Sequence, residues 1–433
     1  MSSGSPSAGL PTSVDVTVIG AGTAGLACAR HLVAEGLHVV VLEAEDTVGG
    51  RIRSEEVGGF RLDRGFQVLN PAYPEVRQVL DVPALRLQHF DAGIAVQRAG
   101  EVVQVRDPRR HPTAALEALR FPIGTLREKL AAARWALGTE SAAALKGPDT
   151  GWRESLDAAG VTGELRTAVV EPFLAGVIGE AAGTTSARFV NLLVRSFLRA
   201  TPGLPAAGMG AVTAQLAAFL PPGTVVTGAR AEHQFRGPRE LLVQTTAGGV
   251  ATRAVVVATD PVNAAHLTGL PEPEMHPLTT FWFAAPSSPA PPSRAKLIHV
   301  DGDRNGPVIT SAVVSEVAPS YALQRFDERA LVSALVLGDR GDTLVQQDVR
   351  AHLSRIYRTG TRDWELLAVH ALPHALPALG APFTGPQPVA LGDSVYVCGD
   401  HRDNASQQGA LVSGRRAALA VLRDLGVLPA RAR

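Results

Sequence analysis

Three glycines in one short run, Gly20-Ala21-Gly22-Thr23-Ala24-Gly25, are the first residues in this 433-residue chain whose spacing suits a ligand. Glycine at the first place allows a tight turn. At the second it lets backbone approach a pyrophosphate, and at the third it lets a helix pack closely on a strand. A helix opening there offers unpaired N–H groups and the positive end of its dipole to phosphate oxygens. Downstream, Glu43 closes an apolar run and could accept hydrogen bonds from ribose hydroxyls, while its charge disfavours a 2′-phosphate. The implied chemistry is dinucleotide binding, with Gly20, Gly22, Ala24, Gly25 and Glu43 as contacts.

The elements needed to hold these residues are present. VDVTVI (14–19) is short, apolar and β-branched, as a buried parallel strand should be. A helical stretch, LACARHLVAEG, ends at Gly36, and HVVVLEA is a second strand. Together they make one βαβ unit with an acidic residue at the end of its second strand.

After Glu43 the chain reads Ala44, then four residues, then Gly49-Gly50-Arg51. With that continuation it resembles the flavin amine oxidase and phytoene desaturase superfamily. The resemblance implies FAD, held non-covalently, with Ala44, Gly49 and Gly50 close to it and Arg51 helping to hold the pyrophosphate. The stretch GFRLDRGFQVL (59–69) resembles the family segment that runs along the flavin, which implies Gly65, Phe66, Gln67 and Val68 near the isoalloxazine ring. In TVVTGARAEHQF, Ala231 is implied nearest the adenine. Near the other end, SVYVCGD followed by a loop and GALVSG is most similar to the plant-type desaturases. By that match Gly399 and Asp400 lie at the ribityl or pyrophosphate region. The N–H groups of Gln407, Gln408 and Gly409 lie at the flavin's pyrimidine edge, where a helix N-terminus would stabilise the charge of reduced flavin.

These motifs predict an α/β fold with a discontinuous Rossmann-like FAD-binding domain at 14–80, 203–265 and 388–430. An α+β substrate domain is expected from 81–202, rich in helical signals, and from 266–387, whose apolar residues alternate as in antiparallel strands. Residues 1–13 read as a disordered tail without the features of a secretory signal. Hydrophobic residues at 45% and charged residues at 19% suit a globular protein, and the balance of 41 basic against 41 acidic residues gives no reason to expect nucleic acid. No apolar run reaches the roughly 18 residues of a membrane span. Two cysteines, Cys28 and Cys398, exclude a disulfide framework and point to a reduced, cytoplasmic setting, and no metal-ligand spacing is present. The segment RDPRRHPTAALEALRFP (106–122) mixes arginine with apolar residues, making a lipid surface a candidate contact.

Only one dinucleotide motif is present, so the reducing equivalents should come from an organic substrate, with dioxygen or a quinone as acceptor. Desaturase-like dehydrogenation of a hydrophobic small molecule, by hydride transfer to flavin N5, is the first reading. An amine oxidase yielding imine and peroxide is the second; a redox-neutral isomerase or a non-catalytic FAD-binding protein is the third. Family amine oxidases place a lysine on a substrate-domain strand that reaches the flavin through water. The matching strand here, HPLTTFWFAAP, has none, and Lys296 lies in or after a Pro-rich loop. Trp282, Tyr321 and Tyr396 are the nearest candidates to frame an amine, with Phe281 and Phe283 assigned to the core. His401 and Glu171 are candidate acid/base groups, and Arg64 and Arg402 could meet an anionic group of the substrate.

Overall fold

In the computed structural model, which describes residues 9–110, 120–236, 240–288, 290–324 and 328–428, the first apolar run forms the strand Ser13–Ile19. It lies between Val39–Leu42 and Gly248–Val257, parallel to both. Val225–Val226 and Val395–Val397 extend the parallel set at either side. The registers pair Ile19 with Leu42 and with Val257, and Val257 with Val397. The strands therefore finish level, and the chain leaves all of them at one edge. In open α/β sheets that carboxyl edge is where ligands bind. The antiparallel strands Ala231–Arg236, Leu241–Thr245 and Ala390–Gly392 complete an eight-stranded sheet among the described residues.

Two helices cover this edge, Thr23–Ala34 and Gln407–Asp424. Both approaches are too close for a side chain. A Cβ on Gly25 would stand 2.0 Å from the Gly20 carbonyl oxygen, and one on Gly414 would stand 2.3 Å from that of Ala24. The two cysteines sit fully buried in the same core.

A seven-stranded sheet runs Glu365–Pro377, Met275–Pro286, Arg329–Leu337, Val308–Val313, Ile298–Asp301, Gly93–Arg98, Glu101–Arg106. The expected alternation along Met275–Pro286 gives way to continuous burial over 279–285. Both faces are covered: Phe281 and Phe283 pack under the helix Thr343–Tyr357, while Trp282 and Ala284 pack with Phe60, Leu62 and Tyr321. The helices Trp152–Ala158, Glu171–Ile178 and Ala187–Arg199 form a further core of their own.

Residues 9–13, expected within the tail, lie against the first sheet. Ser13 is already in the first strand, the Thr12 carbonyl accepts from Ala251 N–H (3.0 Å), and Leu10 packs against the first sheet. Residues 1–8, and 111–119 of the arginine-apolar segment, lie outside the described residues. No helix among the described residues is long and apolar enough to cross a membrane.

Candidate functional site

A single cavity of about 1000 Å³ starts at the carboxyl edge of the first sheet and runs to the helices on the second. Its first part is lined by Gly20, Gly22, Thr23, Ala24, Glu43, Ala44, Gly49, Gly50 and Arg51, with Ala231 along one side. The middle holds Gly65, Phe66, Gln67, Val68, Gly399, Asp400 and Gln407. Sequence positions nearly 400 apart thus meet around one space because the parallel strands end level.

The glycines divide by cause. Gly20 adopts φ +108°, and a Cβ there would stand 2.7 Å from the Ala258 carbonyl oxygen, so the protein itself demands glycine. At Gly22 a Cβ would meet nothing within 4 Å. Its neighbour is the cavity, which is where a glycine admits a ligand's close approach. Glu43 is buried, and its carboxylate accepts from Ala21 N–H (2.8 Å) and Glu45 N–H (3.0 Å), tying the glycine turn to the second strand. A carboxylate has further lone pairs, which remain for a diol.

Arg51 and Asp400 meet across the cavity at 2.6 Å, and Arg51 also donates to the Ala375 carbonyl (2.9 Å). Gln67 Nε2 donates to the Arg51 carbonyl (2.8 Å), joining this pair to the segment 65–68. That segment is held from below: Phe66 N–H donates to Thr280 Oγ1 and Gly65 N–H to His370 Nδ1, each 3.2 Å. Asp63, two residues earlier, is a residue the motifs did not flag. It is fully buried and accepts from Tyr321 Oη (2.6 Å), Met209 N–H (2.8 Å) and Ser54 Oγ (2.5 Å), while burial pushes its carboxyl up. The available signal was an acid following Phe60 and Leu62 on a short alternating strand, Phe60–Asp63.

At the last helix, the N-cap Ser406 Oγ accepts from Gly409 N–H (3.2 Å). Gly409 is therefore a capped position, and a Cβ on it would stand 2.0 Å from the Asn404 carbonyl oxygen. Gln408 turns away, its Oε1 accepting from Glu75 N–H (2.9 Å). Of the three expected contacts, only Gln407 lines the cavity. The difference comes from the cap, whose position fixes which amides stay open. The N–H groups of Gln407 and Gln408 have no protein acceptor among the described residues.

Three polar atoms on cavity-lining residues are buried without a partner: Thr23 Oγ1, Asn70 Nδ2 and Gln407 Oε1. Orphaned polar groups of this kind are costly unless something else satisfies them. With the open space at Gly22 and the carboxylate at Glu43, they fit an elongated dinucleotide bearing hydroxyls and ring acceptors.

Beyond the segment 65–68 the lining becomes apolar. Phe173, Gly176 and Val177 come from Glu171–Ile178, and Leu193 and Phe197 from Ala187–Arg199. Leu278, Thr280, Leu335, Leu372 and Leu376 come from the second sheet. Asp91, Asp107 and Thr201 also line the cavity. Phe66 meets Phe90 edge-on (6.2 Å between centroids), and Phe173 meets Phe197 likewise (5.7 Å).

The two acid/base candidates lie elsewhere. Glu171 is in an ion cluster with Arg166 (2.8 Å), Arg304 (2.8 Å) and Arg153 (3.4 Å) at a separate cleft behind the helix. Burial raises its carboxyl, but the arginines outweigh it and hold it low, so it stays ionised. His401 does not line the cavity, and burial pushes its imidazole down to about 4, leaving it neutral. Lys296 is exposed outside the cavity. Trp282, Tyr321 and Tyr396 are buried and do not line it; Tyr396 donates to Asp424 (2.5 Å). Arg64 is exposed at the cavity, whereas Arg402 is turned to the Pro388 carbonyl. No group of three or more potential metal ligands exists among the described residues.

Comparison with known proteins agrees with this geometry. The chain is 51% identical to putrescine oxidase of Kocuria rosea over 86 residues, 20% of this chain and 18% of that protein. It is 56% identical to phytoene dehydrogenase of Streptomyces griseus over 54 residues, 12% of this chain and 11% of that one. The matched stretches thus span less than a fifth of these relatives. In three dimensions, an oxidoreductase from Methanosarcina mazei superposes with a TM-score of 0.72 at 14% identity, covering 93% of this chain and 99% of that one. The family model described as flavin containing amine oxidoreductase matches residues 23–422, from the helix after the glycine turn to the end of the last helix. The chain belongs to the family of flavin-containing amine oxidoreductases.

Proposed function

We propose that this chain binds FAD non-covalently along the cavity and oxidises a C–H bond of an apolar small molecule, in the manner of a desaturase-like dehydrogenase. The first sheet with its helices acts as the cofactor domain, and the second sheet with its helices as the substrate domain. FAD, when bound, would supply the hydride acceptor, with dioxygen or a quinone as the final electron acceptor. Neither cysteine lines the cavity, so no thiol stands ready to form a thioether. Glu43 would accept from the ribose diol of FAD, and Arg51, its guanidinium oriented by Asp400, would balance the phosphate charge. The helix Gln407–Asp424 begins at the cavity with the free N–H of Gln407, where its positive end would favour added negative charge. Thr280 and His370 hold the segment 65–68 still.

The observation that carries the substrate class is the chamber itself. Its wall is Phe173, Val177, Leu193, Phe197, Leu335 and Leu376, and no lysine is among its lining residues. Such a wall excludes water and holds an apolar chain by burial. Removing hydride from carbon there requires orientation rather than a protein nucleophile. An amine oxidase reading has on its side the match to the amine oxidoreductase family and the short match to putrescine oxidase.

Product analysis tests the proposal. Incubating the flavoprotein with lipophilic polyenes and an acceptor should yield a product lacking two hydrogens. Release of ammonia with peroxide from a primary amine, and no change in any polyene, would refute it.

A further inference from the structure

The helix Leu126–Gly138 has no fully buried residue, yet it carries three of the most exposed large apolar side chains in the molecule. Leu126 is 57% exposed, Leu130 62% and Leu137 52%. At about 100° per residue these three fall within roughly 40° of one another, on a single outward stripe. Arg127 and Arg134 are exposed beside them on the same side. The opposite face packs inward through Ala132, Trp135 and Ala136 against the core that includes Leu193. The one acid of the helix, Glu128, is on that inner side, accepting from Leu165 N–H (3.0 Å).

We infer that this helix is a docking surface for an anionic lipid bilayer, with the leucines entering the headgroup boundary and the arginines meeting lipid phosphates. Leucines flanked by arginine, with no acid on the face, are the pattern of an interfacial helix. A second copy of this chain fits worse. Two-fold pairing of the stripe would bring the arginines of both copies together without a carboxylate between them. The helix beneath, Ala187–Arg199, supplies Leu193, Phe197 and Leu198 to the chamber, so the docked face lies one helix from the substrate's place. Docking itself stands on the exposed helix alone; only its purpose, uptake of an apolar substrate from the bilayer, rests on the proposed function.

The test is co-sedimentation of the full-length flavoprotein with vesicles of phosphatidylcholine, with or without phosphatidylglycerol. Wild type should sediment with the anionic vesicles and much less with the neutral ones. The triple variant Leu126→Ser, Leu130→Ser, Leu137→Ser should bind at least about a hundredfold more weakly, since each buried leucine is worth on the order of tenfold. Its melting temperature and flavin spectrum should not change. Arg127→Gln with Arg134→Gln should remove the preference for anionic vesicles while leaving the leucines in place, and serves if the triple variant fails to fold. Wild type remaining in the supernatant with both vesicle types would overturn the inference, as would equal sedimentation of wild type and variants. Loss of a dimer in the triple variant, without vesicle binding by wild type, would show a protein contact instead. Substrate oxidation in detergent reads the chemistry separately from any of these outcomes.

Discussion

One end of the cavity is shaped mainly by backbone turns; the other is walled by side chains. The end at the first sheet is made of turns that follow level strand ends, with glycines, helix termini and the carboxylates of Glu43 and Asp400 placed by the sheet register. The chamber end is made of Phe, Leu and Val from two helices and a second sheet, with no fixed pattern of residue types. A site built from backbone geometry tolerates few substitutions and looks alike wherever the fold occurs. A site built from side chains can change its ligand while the fold stays the same. This contrast explains why a chain sharing only 14% of its residues with a solved oxidoreductase superposes on it over most of its length.

The largest expected effects lie at the cofactor end. Asp63→Ala strands the Tyr321 hydroxyl, Met209 N–H and Ser54 hydroxyl in the interior, and should cost about 3 kcal/mol or more in denaturant unfolding. Two glycine variants then separate fold from ligand. Gly25→Ala collides with the Gly20 carbonyl and should lower stability by about 1–3 kcal/mol even without flavin. Gly22→Ala meets only open space, so its flavin-free form should melt within about 0.5 kcal/mol of wild type while flavin occupancy falls steeply. Equal melting losses for both would break the distinction between glycines set by protein and by ligand.

Acid should act through buried histidines at both sheets. Burial lowers His299 from 6.5 to about 4, so between those values the unfolded chain takes up a proton that the folded one refuses. The stabilisation is complete above about pH 6.5 and is lost progressively towards pH 4, by up to about 3 kcal/mol, with His401 adding in the same sense. His299→Phe should flatten that part of the stability curve measured by urea titration at several pH values.

At the chamber end the effects should be on substrate. Phe197→Ala should raise KM about tenfold or more by removing apolar wall, with flavin content unchanged. Lys296→Met should do nothing measurable to turnover, because that lysine is exposed outside the cavity. A large fall in kcat from it would restore the amine oxidase reading.

The same contrast decides how much could be read in advance. Gly20 and Gly25 were legible because backbone contacts demand glycine there, and Gly22, Glu43, Gly49-Gly50-Arg51 and Gly399-Asp400 because they stand at fixed places beside short apolar strands. Gln408 and Gly409 were misplaced because the outcome depends on Ser406 being the cap, a shift of one residue that periodicity does not fix. Tyr321 was a candidate to frame an amine, and its partner Asp63 lies 258 positions away, beyond any local pattern. The chamber wall was the least legible part. Phe173, Val177, Leu193 and Phe197 have the same 3.6-residue spacing whether a helix faces core or ligand. Glu171 and His401 stood out as polar residues beside motifs, yet one is held by three arginines and the other is neutral away from the cavity.

One measurement bears most directly on the joining of these two ends. Oxygen-free mixing of the purified flavoprotein with a lipophilic polyene should bleach the visible flavin band at a rate that saturates with polyene. In Phe197→Ala, saturation should require more polyene while the starting flavin spectrum is unchanged. Bleaching by primary amines but by no polyene, or with no response to Phe197→Ala, would contradict the account.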